Sequence, residues 1–207
     1  MYVPKHFAAE DPDALLAKLA AERLAILVTV GADGALFATH LPMLWNAEKR
    51  MLEGHIARGN PHHTLPTTAP ALVILPGAEA YVSPSLYPSK AEHGRVVPTW
   101  NYETVHVTGP LTWFDDATRL EGVVRGLTDR HEAGRDNAWS IDDAPRDYVE
   151  AMLRGIVGVE VRAENIEAKC KLSQNRSAAD IEGVRASLES SGNPFDLQVA
   201  NLLSRSG

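Results

Sequence analysis

The sequence predicts an α+β fold in which a mostly antiparallel β-barrel is flanked by helices. Several short, β-prone apolar segments are separated by tight-turn signals. Segments with apolar residues at helical spacing lie between some of these strands, but strands and helices do not alternate regularly as they do in a doubly wound sheet. The 207 residues, 44% of them hydrophobic, are enough for one well-buried core.

The first part of the chain predicts one helix and three strands. Asp11-Pro12-Asp13 is typical of a helix start, and leucines at helical spacing follow as far as Glu22. Turn residues at 31–34 and at 46–49 separate three extended segments. We expect these segments to run as an antiparallel meander. The predicted strands cover residues 24–30, 35–45 and 51–57.

The second part alternates between strands, helices and one irregular segment. Residues 83–102 are rich in Pro, Ser, Tyr and Trp, too long for a turn and too aromatic for a disordered linker. We expect one barrel domain over residues 1–176 and a C-terminal helical arm over 177–207 packed on it. The other predicted strands cover 71–75 with 79–82, 102–114, 158–163 and 166–172, and the other helices cover 120–131, 145–156 and two short C-terminal segments.

Composition limits the function classes. The formal net charge is −7, and no run of Lys and Arg is present, so the overall field repels nucleic acids. The single cysteine, Cys170, excludes an intrachain disulfide and a thiolate metal cage. Neither a signal-peptide layout nor an apolar run of membrane-spanning length is found, so we expect a soluble, cytoplasmic protein.

A first candidate site lies at the end of the predicted strand over 51–57. Arg58 offers a fork of donors, and Gly59-Asn60-Pro61 precedes a predicted helical turn whose amides suit an oxyanion such as phosphate. A solvated turn is the alternative interpretation. His62 and His63 are adjacent and would diverge on a helix, so we predict no metal site there.

A second candidate site falls in the irregular segment. Tyr87, Lys90, Trp100 and Asn101 bring together aromatic rings, an ammonium group and an amide. Such groups suit a planar heteroaromatic ligand with carbonyl edges. A rigid loop that caps the barrel is the alternative.

A third group of donors follows the last predicted strand. Lys171, Gln174 and Arg176 lie within six residues, without acidic neighbours. A polar helix entry is the alternative interpretation. The sequence contains no Walker loop, no Ser-His-Asp order and no GxGxxG after a strand, which argues against ordinary hydrolase and nucleoside triphosphate chemistry.

Six segments in order resemble the PaiB-type FMN-binding negative transcriptional regulators. This family is a branch of the split-barrel flavoproteins, which include the pyridoxamine phosphate oxidases. The resemblance spans nearly the whole chain. The matching segments are residues 1–7, 39–42, 54–61, 81–90, 97–102 and 171–176.

The resemblance implies a split β-barrel homodimer with FMN in a groove between the subunits. The strand that carries Thr39, His40 and Leu41 would pass beside the isoalloxazine ring. The phosphate would be approached by Arg58, Asn60 and His62. The pocket would be completed by Trp100, Asn101 and Gln174, with Tyr87, Lys90 and Lys171 on the substrate side.

Three functions stay open at this point. The family implies a regulator, although the acidic charge and the acidic residues of 177–207 do not favour direct DNA binding. An FMN-dependent reductase or oxidase is the second. The sequence Lys-Leu-Ser-Gln-Asn-Arg at 171–176 replaces the oxidase pattern of histidine between arginines, which argues against pyridoxamine phosphate oxidase activity. A binding module that has lost its ligand is the third.

Overall fold

The computed structural model describes residues 1–204, so the last residues of the predicted C-terminal arm, 205–207, lie outside the described part. The chain forms two compact units. The central unit comprises Asp13–Leu75 and His106–Ile166. The terminal unit comprises Met1–Pro12, Pro76–Val105 and the chain from Glu167 onward. The predicted boundary at residue 176 stays a prediction.

The central unit begins with a helix and a hairpin. Helix α1 (Pro12–Glu22) buries Leu15, Leu16 and Leu19, which share one face. Strands β1 (Ala25–Val30) and β2 (Leu36–Leu41) pair antiparallel, as predicted. Their turn closes through a hydrogen bond from the Gly31 amide to the Ala35 carbonyl, with Gly34 at φ 80°. The first residues of β5 (Ala71–Val82) pair with the other edge of β1.

The predicted strand over residues 35–45 is divided between two sheets. After Leu41 the chain leaves β2, and β3 (Met43–Asn46) pairs with β4 (Met51–Ala57) in a second sheet. Pro42 stands at the break. Because proline has no amide hydrogen, it cannot donate to a continuing ladder. The prediction of one unbroken strand over residues 35–45 is therefore wrong, whereas the antiparallel hairpin and the bounds of β4 are confirmed.

The second sheet is completed by β7 (Leu111–Phe114) and β8 (Ile156–Arg162), and it carries helices. Its strand order is β3-β4-β8-β7, and all of its pairings are antiparallel. Helix α3 (Ala117–Glu132) packs on β3, β4 and β8, and contacts α4 (Arg146–Arg154). Arg119 of α3 is ion-paired with both Glu53 and Glu160, which ties the helix to two neighbouring strands.

The terminal unit contains the remaining elements. Its sheet joins the later part of β5, then β6 (Thr99–Gly109), then β9 (Asn165–Lys171). Helix α2 (Ser89–His93) is short, while α5 (Ala178–Ser190) and α6 (Pro194–Leu203) pack on each other. Their core is apolar, and it includes Ala80, Val82, Tyr87, Leu172, Val184, Leu188, Val199 and Leu203.

The predicted α+β class is confirmed: antiparallel sheets with flanking helices, in the split-barrel class. Within residues 1–204, no helix combines the length and the apolar character needed to cross a bilayer.

A close approach at Gly109 provides a test of the central unit. A Cβ atom there would lie 1.8 Å from the carbonyl oxygen of Arg162. The backbone is held on both sides, because the Arg162 amide donates to Pro110 and the Glu164 amide donates to Thr108. We expect Gly109→Ala to lower the free energy of unfolding by about 1–3 kcal/mol or more in urea titrations.

Gly122→Ala is the matched control. Gly122 lies in the middle of α3 with no atom near its would-be Cβ, so this change should raise stability by up to about 1 kcal/mol. Equal stability of wild type and Gly109→Ala would contradict the close approach.

Candidate functional site

A short turn after β4 holds the first group of predicted site residues. Asn60 caps the 3-10 turn Pro61–Thr64, with its side-chain oxygen accepting from the His62 amide at 3.0 Å. Proline at the first helical position is compatible with this cap. The Asn60 amide also donates to Thr39 Oγ1 at 3.2 Å. The turn is therefore attached to β2.

The His62 ring is the centre of this attachment. It is 0% exposed, and it lies between Thr29 of β1 and Thr39 of β2. Its Nε2 is 2.8 Å from Thr29 Oγ1, and its Nδ1 is 2.8 Å from Thr39 Oγ1. The rings of Phe37 and Trp113 pack around it. Burial lowers the pKa of His62, so the imidazole is neutral and has one donor and one acceptor for the two hydroxyls.

Strand β2 has one exposed side chain between two buried ones. Thr39 and Leu41 are buried, whereas His40 between them is exposed. In the sheet of the described residues β2 is the terminal strand, so one of its edges has amide and carbonyl groups without a strand partner. These backbone groups are available to a flat ligand with a polar edge.

Arg58 is anchored to the turn between α4 and β8. Its Nε donates to the Arg154 carbonyl at 2.9 Å, and its Nη2 donates to the Ile156 carbonyl at 2.8 Å. The same Nη2 is 2.7 Å from Asp115 Oδ1. Among the described residues, Nη1 has no hydrogen-bond partner. Part of this exposed guanidinium is therefore free to bind an anion.

Arg58 lines a cleft of about 560 Å³ in the central unit. Arg146 lies in the same cleft, but it is ion-paired with Glu121 and Glu150. Arg154 is exposed, and within residues 1–204 its side chain has no ion pair. Sequence reasoning missed Arg154, because it lies on a helix with no motif and 96 residues beyond Arg58.

The terminal unit holds the other predicted residues, and two of them stabilise one turn. Asn101 is fully buried and exchanges two hydrogen bonds with Ser173 Oγ, at 3.0 and 3.2 Å. Gln174 folds back on its own turn, where its amide donates to the Cys170 carbonyl and its oxygen accepts from the Leu172 amide. Ser173 at the centre has φ 64°.

The other predicted residues of the terminal unit differ in their exposure and in their contacts. Trp100 is 51% exposed and meets the Tyr81 ring edge to face. Lys171 donates to Thr99 Oγ1 and to the Trp100 carbonyl. Tyr87 is buried with its hydroxyl unpartnered. Lys90 is exposed and donates to Ser85 Oγ at 3.2 Å.

The predicted residues thus form separate groups. In the central unit, Thr39, Asn60 and His62 belong to one hydrogen-bond network, with Arg58 two residues before Asn60. In the terminal unit, Trp100 contacts Lys171, and Asn101 and Gln174 support the Ser173 turn.

A comparison with family models matches residues 1–165 to the family described as "Putative FMN-binding domain". The chain belongs to this FMN-binding family. FMN is therefore its cofactor. A relative from Bacillus subtilis, "Protease synthase and sporulation protein PAI 2", is 33% identical to this chain. The aligned region covers 98% of this chain and 96% of the Bacillus protein.

Solved structures show the same fold for this FMN-binding protein. The FAD and heme binding protein from Mycobacterium smegmatis has a TM-score of 0.57 at 19% identity, covering 89% of this chain and 80% of that one. The flavocytochrome Anf3 from Azotobacter vinelandii has a TM-score of 0.59 at 13% identity, covering 82% and 72%. At these identities the likeness concerns the fold.

The donors of the central unit fit the chemistry of FMN. A phosphate requires charged or amide donors, and Arg58 Nη1 is free to supply them. The isoalloxazine ring has a polar edge of carbonyl and N–H groups, which matches the unpaired edge of β2. His62 has no exposed surface, so the protein can use it only to hold other groups in place.

Two histidines, the buried His62 and the half-buried His55, predict a pH dependence of stability. Burial lowers the pKa of both His62 and His55 from the ordinary value of 6.5. As the pH falls below 6.5, the unfolded chain takes up protons that the folded chain does not. The free energy of unfolding should therefore fall by up to about 1.4 kcal/mol per pH unit for each histidine.

We expect His62→Gln to be less stable at pH 7.5 and to lose part of this slope between pH 7.5 and 5.5 in urea titrations. His55 would account for the remainder. His40→Gln, at an exposed position of β2, is the control for the substitution itself and should have the wild-type stability at pH 7.5. An unchanged slope in His62→Gln would show that this imidazole is not buried and neutral.

Proposed function

We propose that this FMN-binding protein is a flavin-dependent regulator of gene expression that works as a cytoplasmic homodimer. The observation that carries the regulatory role is its similarity along nearly its whole length to the Bacillus protein, whose name refers to protease synthesis and sporulation. A regulatory role agrees with the resemblance of six separate segments to the PaiB-type regulators.

In this proposal the FMN phosphate binds at the turn after β4. Arg58 donates from its free Nη1, and Asn60 fixes the turn that brings Arg58 to the site. His62 is a positioning residue, since its buried ring joins β1, β2 and the turn. The ring of FMN lies along the strand of Thr39, His40 and Leu41.

The remaining residues complete the pocket in the homodimer. Trp100 contributes an exposed ring, and Asn101 and Gln174 hold the Ser173 turn, which follows Lys171 in the sequence. Tyr87, Lys90 and Lys171 lie on the side where a substrate or effector binds. The net charge of −7 favours regulation through a partner protein over a broad DNA-binding surface.

An FMN-dependent oxidoreductase is the second candidate. It is favoured by the exposed Trp100 and Tyr81 rings, which could stack with a planar substrate. When bound, FMN supplies electron or hydride transfer. In either function the protein's residues bind and orient the flavin.

The phosphate assignment predicts a selective loss of affinity in Arg58→Ala. A charged hydrogen bond contributes about 1.5–3 kcal/mol, so FMN should bind about tenfold to hundredfold more weakly. Riboflavin has no phosphate, and its affinity should change by less than about twofold. Quenching of flavin fluorescence measures both affinities, with one FMN per chain expected for the wild type.

Asp115→Asn is the matched variant. It removes the carboxylate that competes for Arg58 but leaves the two carbonyl bonds of the guanidinium. FMN should then bind as tightly as to the wild type, or more tightly. Equal losses of FMN and riboflavin in Arg58→Ala would mean that Arg58 only holds the turn between α4 and β8.

The two candidate functions predict different results with NADPH and oxygen. A regulator should consume NADPH no faster than free FMN at the same concentration, whereas an oxidoreductase should be at least about tenfold faster. Sequencing RNA from a strain without the gene should show changed transcripts, restored by the wild type but not by Arg58→Ala. Fast turnover with unchanged transcripts would overturn the regulatory proposal.

A further inference from the structure

Three cations gather at the end of β9 in the terminal unit. Lys169 and Lys171 are two residues apart on this strand, so both point to the same face. Arg176 follows the Ser173 turn, and its charge acts on Lys171. We call Lys169, Lys171 and Arg176 the cation cluster.

The partners of the cation cluster are neutral. Lys169 donates to the Tyr2 carbonyl at 3.2 Å, and Lys171 donates to Thr99 Oγ1 and the Trp100 carbonyl. Arg176 lies over the Tyr87 ring, 4.7 Å from its centroid. Within residues 1–204, none of the three forms an ion pair with a carboxylate. Elsewhere in the described part of the chain arginines do form such pairs, for example Arg58, Arg119 and Arg146.

Holding like charges together costs free energy. Burial, together with the charges of Lys169 and Arg176, lowers the pKa of Lys171. Asp180 interacts electrostatically with Arg176, but its carboxylate accepts two hydrogen bonds from Ser89 at 3.1 and 2.8 Å. Within residues 1–204, the cation cluster therefore has one carboxylate acting on it at longer range, that of Asp180, and no direct ion pair.

Donors remain in the cation cluster after these contacts. An ammonium group has three donors, of which Lys169 uses one and Lys171 uses two. The Arg176 guanidinium lies over a ring and has no side-chain hydrogen bond among the described residues. Beneath it, the Tyr87 side chain is only 2% exposed and its buried hydroxyl has no partner. Buried hydroxyls are normally satisfied, so Tyr87 is an independent sign of a missing polar ligand.

We propose that the cation cluster and the Tyr87 hydroxyl bind the oxyanion of a small ligand, a phosphate or a carboxylate group. The ligand's role as the substrate or effector of the flavin protein rests on the function proposed above, whereas the anion site itself does not. Charge-assisted hydrogen bonds from two ammonium groups and a guanidinium would neutralise the anion and relieve their mutual repulsion.

Stability measurements with inorganic phosphate test the site. A ligand with a dissociation constant of about 1 mM, present at about 20 mM, lowers the unfolded-to-folded ratio about twentyfold. We expect this shift in urea titrations with phosphate, relative to chloride at equal ionic strength, and we expect it to be lost in Lys171→Gln/Arg176→Gln. The same titration is made with sodium acetate. A larger stability shift with phosphate indicates a phosphate ligand, and a larger shift with acetate indicates a carboxylate ligand.

Two controls separate this site from the proposed FMN site. Arg58→Ala should keep the phosphate shift even if FMN binding is lost. Lys49→Gln/Arg135→Gln removes the same charge from exposed positions and should also keep it. If the double variant does not fold, Arg176→Gln alone should still lose most of the shift.

Two results would overturn the proposal. One is an equal phosphate shift in the wild type and the cation-cluster variants. The other is a loss of FMN affinity in Lys171→Gln/Arg176→Gln without any loss of riboflavin affinity, because the cation cluster would then bind the phosphate of FMN itself.

Discussion

The buried His62 imidazole is the constraint on which the central site depends. One neutral ring satisfies the hydroxyls of Thr29 and Thr39 on neighbouring strands. Asn60 joins the same network through Thr39 and caps the turn that contains His62. Because such a network is costly to break inside a protein, the turn after β4 has one well-defined position. Arg58 directly precedes this turn in the chain, and its guanidinium is oriented by the carbonyls of Arg154 and Ile156.

Arg58 and the cation cluster differ in whether a carboxylate is bonded to them. Arg58 is fixed by two carbonyls and an exposed carboxylate, which leaves one nitrogen for a ligand. Exposed ion pairs of this kind contribute little to stability, so Asp115 is a weak competitor for a phosphate. Lys171 and Arg176, in contrast, have no carboxylate bonded to them within the described residues. A protein of net charge −7 can keep such groups together only at some cost in stability.

Local signals predicted the elements that depend on local physics. The turn residues at 31–34 and the apolar, β-prone run before them were enough to predict the hairpin, and β4 was predicted over Met51–Ala57. The division at Pro42 was not predicted, because the residues on both sides are β-prone and only long-range pairing assigns them to different sheets.

The site was predicted by residue type more than by role. Asn60-Pro61 indicated a capped turn, which the structure contains. His62 resembled a phosphate ligand in sequence, and its complete burial depends on two threonines 33 and 23 residues away. Lys169 drew no attention in the sequence, since the cation cluster forms only where Arg176, after the left-handed Ser173 turn, lies near enough for its charge to act on Lys171. Contacts between distant segments decide such roles, and no spacing rule encodes them.

A crystal structure of the protein with FMN bound tests the proposed site most directly. We expect the phosphate oxygens within hydrogen-bonding distance of Arg58 Nη1, and the flavin ring along β2. We also expect the His62 ring to remain between Thr29 and Thr39. A phosphate bound to Lys171 and Arg176, with Arg58 contacting only its carbonyls and Asp115, would contradict the proposed FMN site.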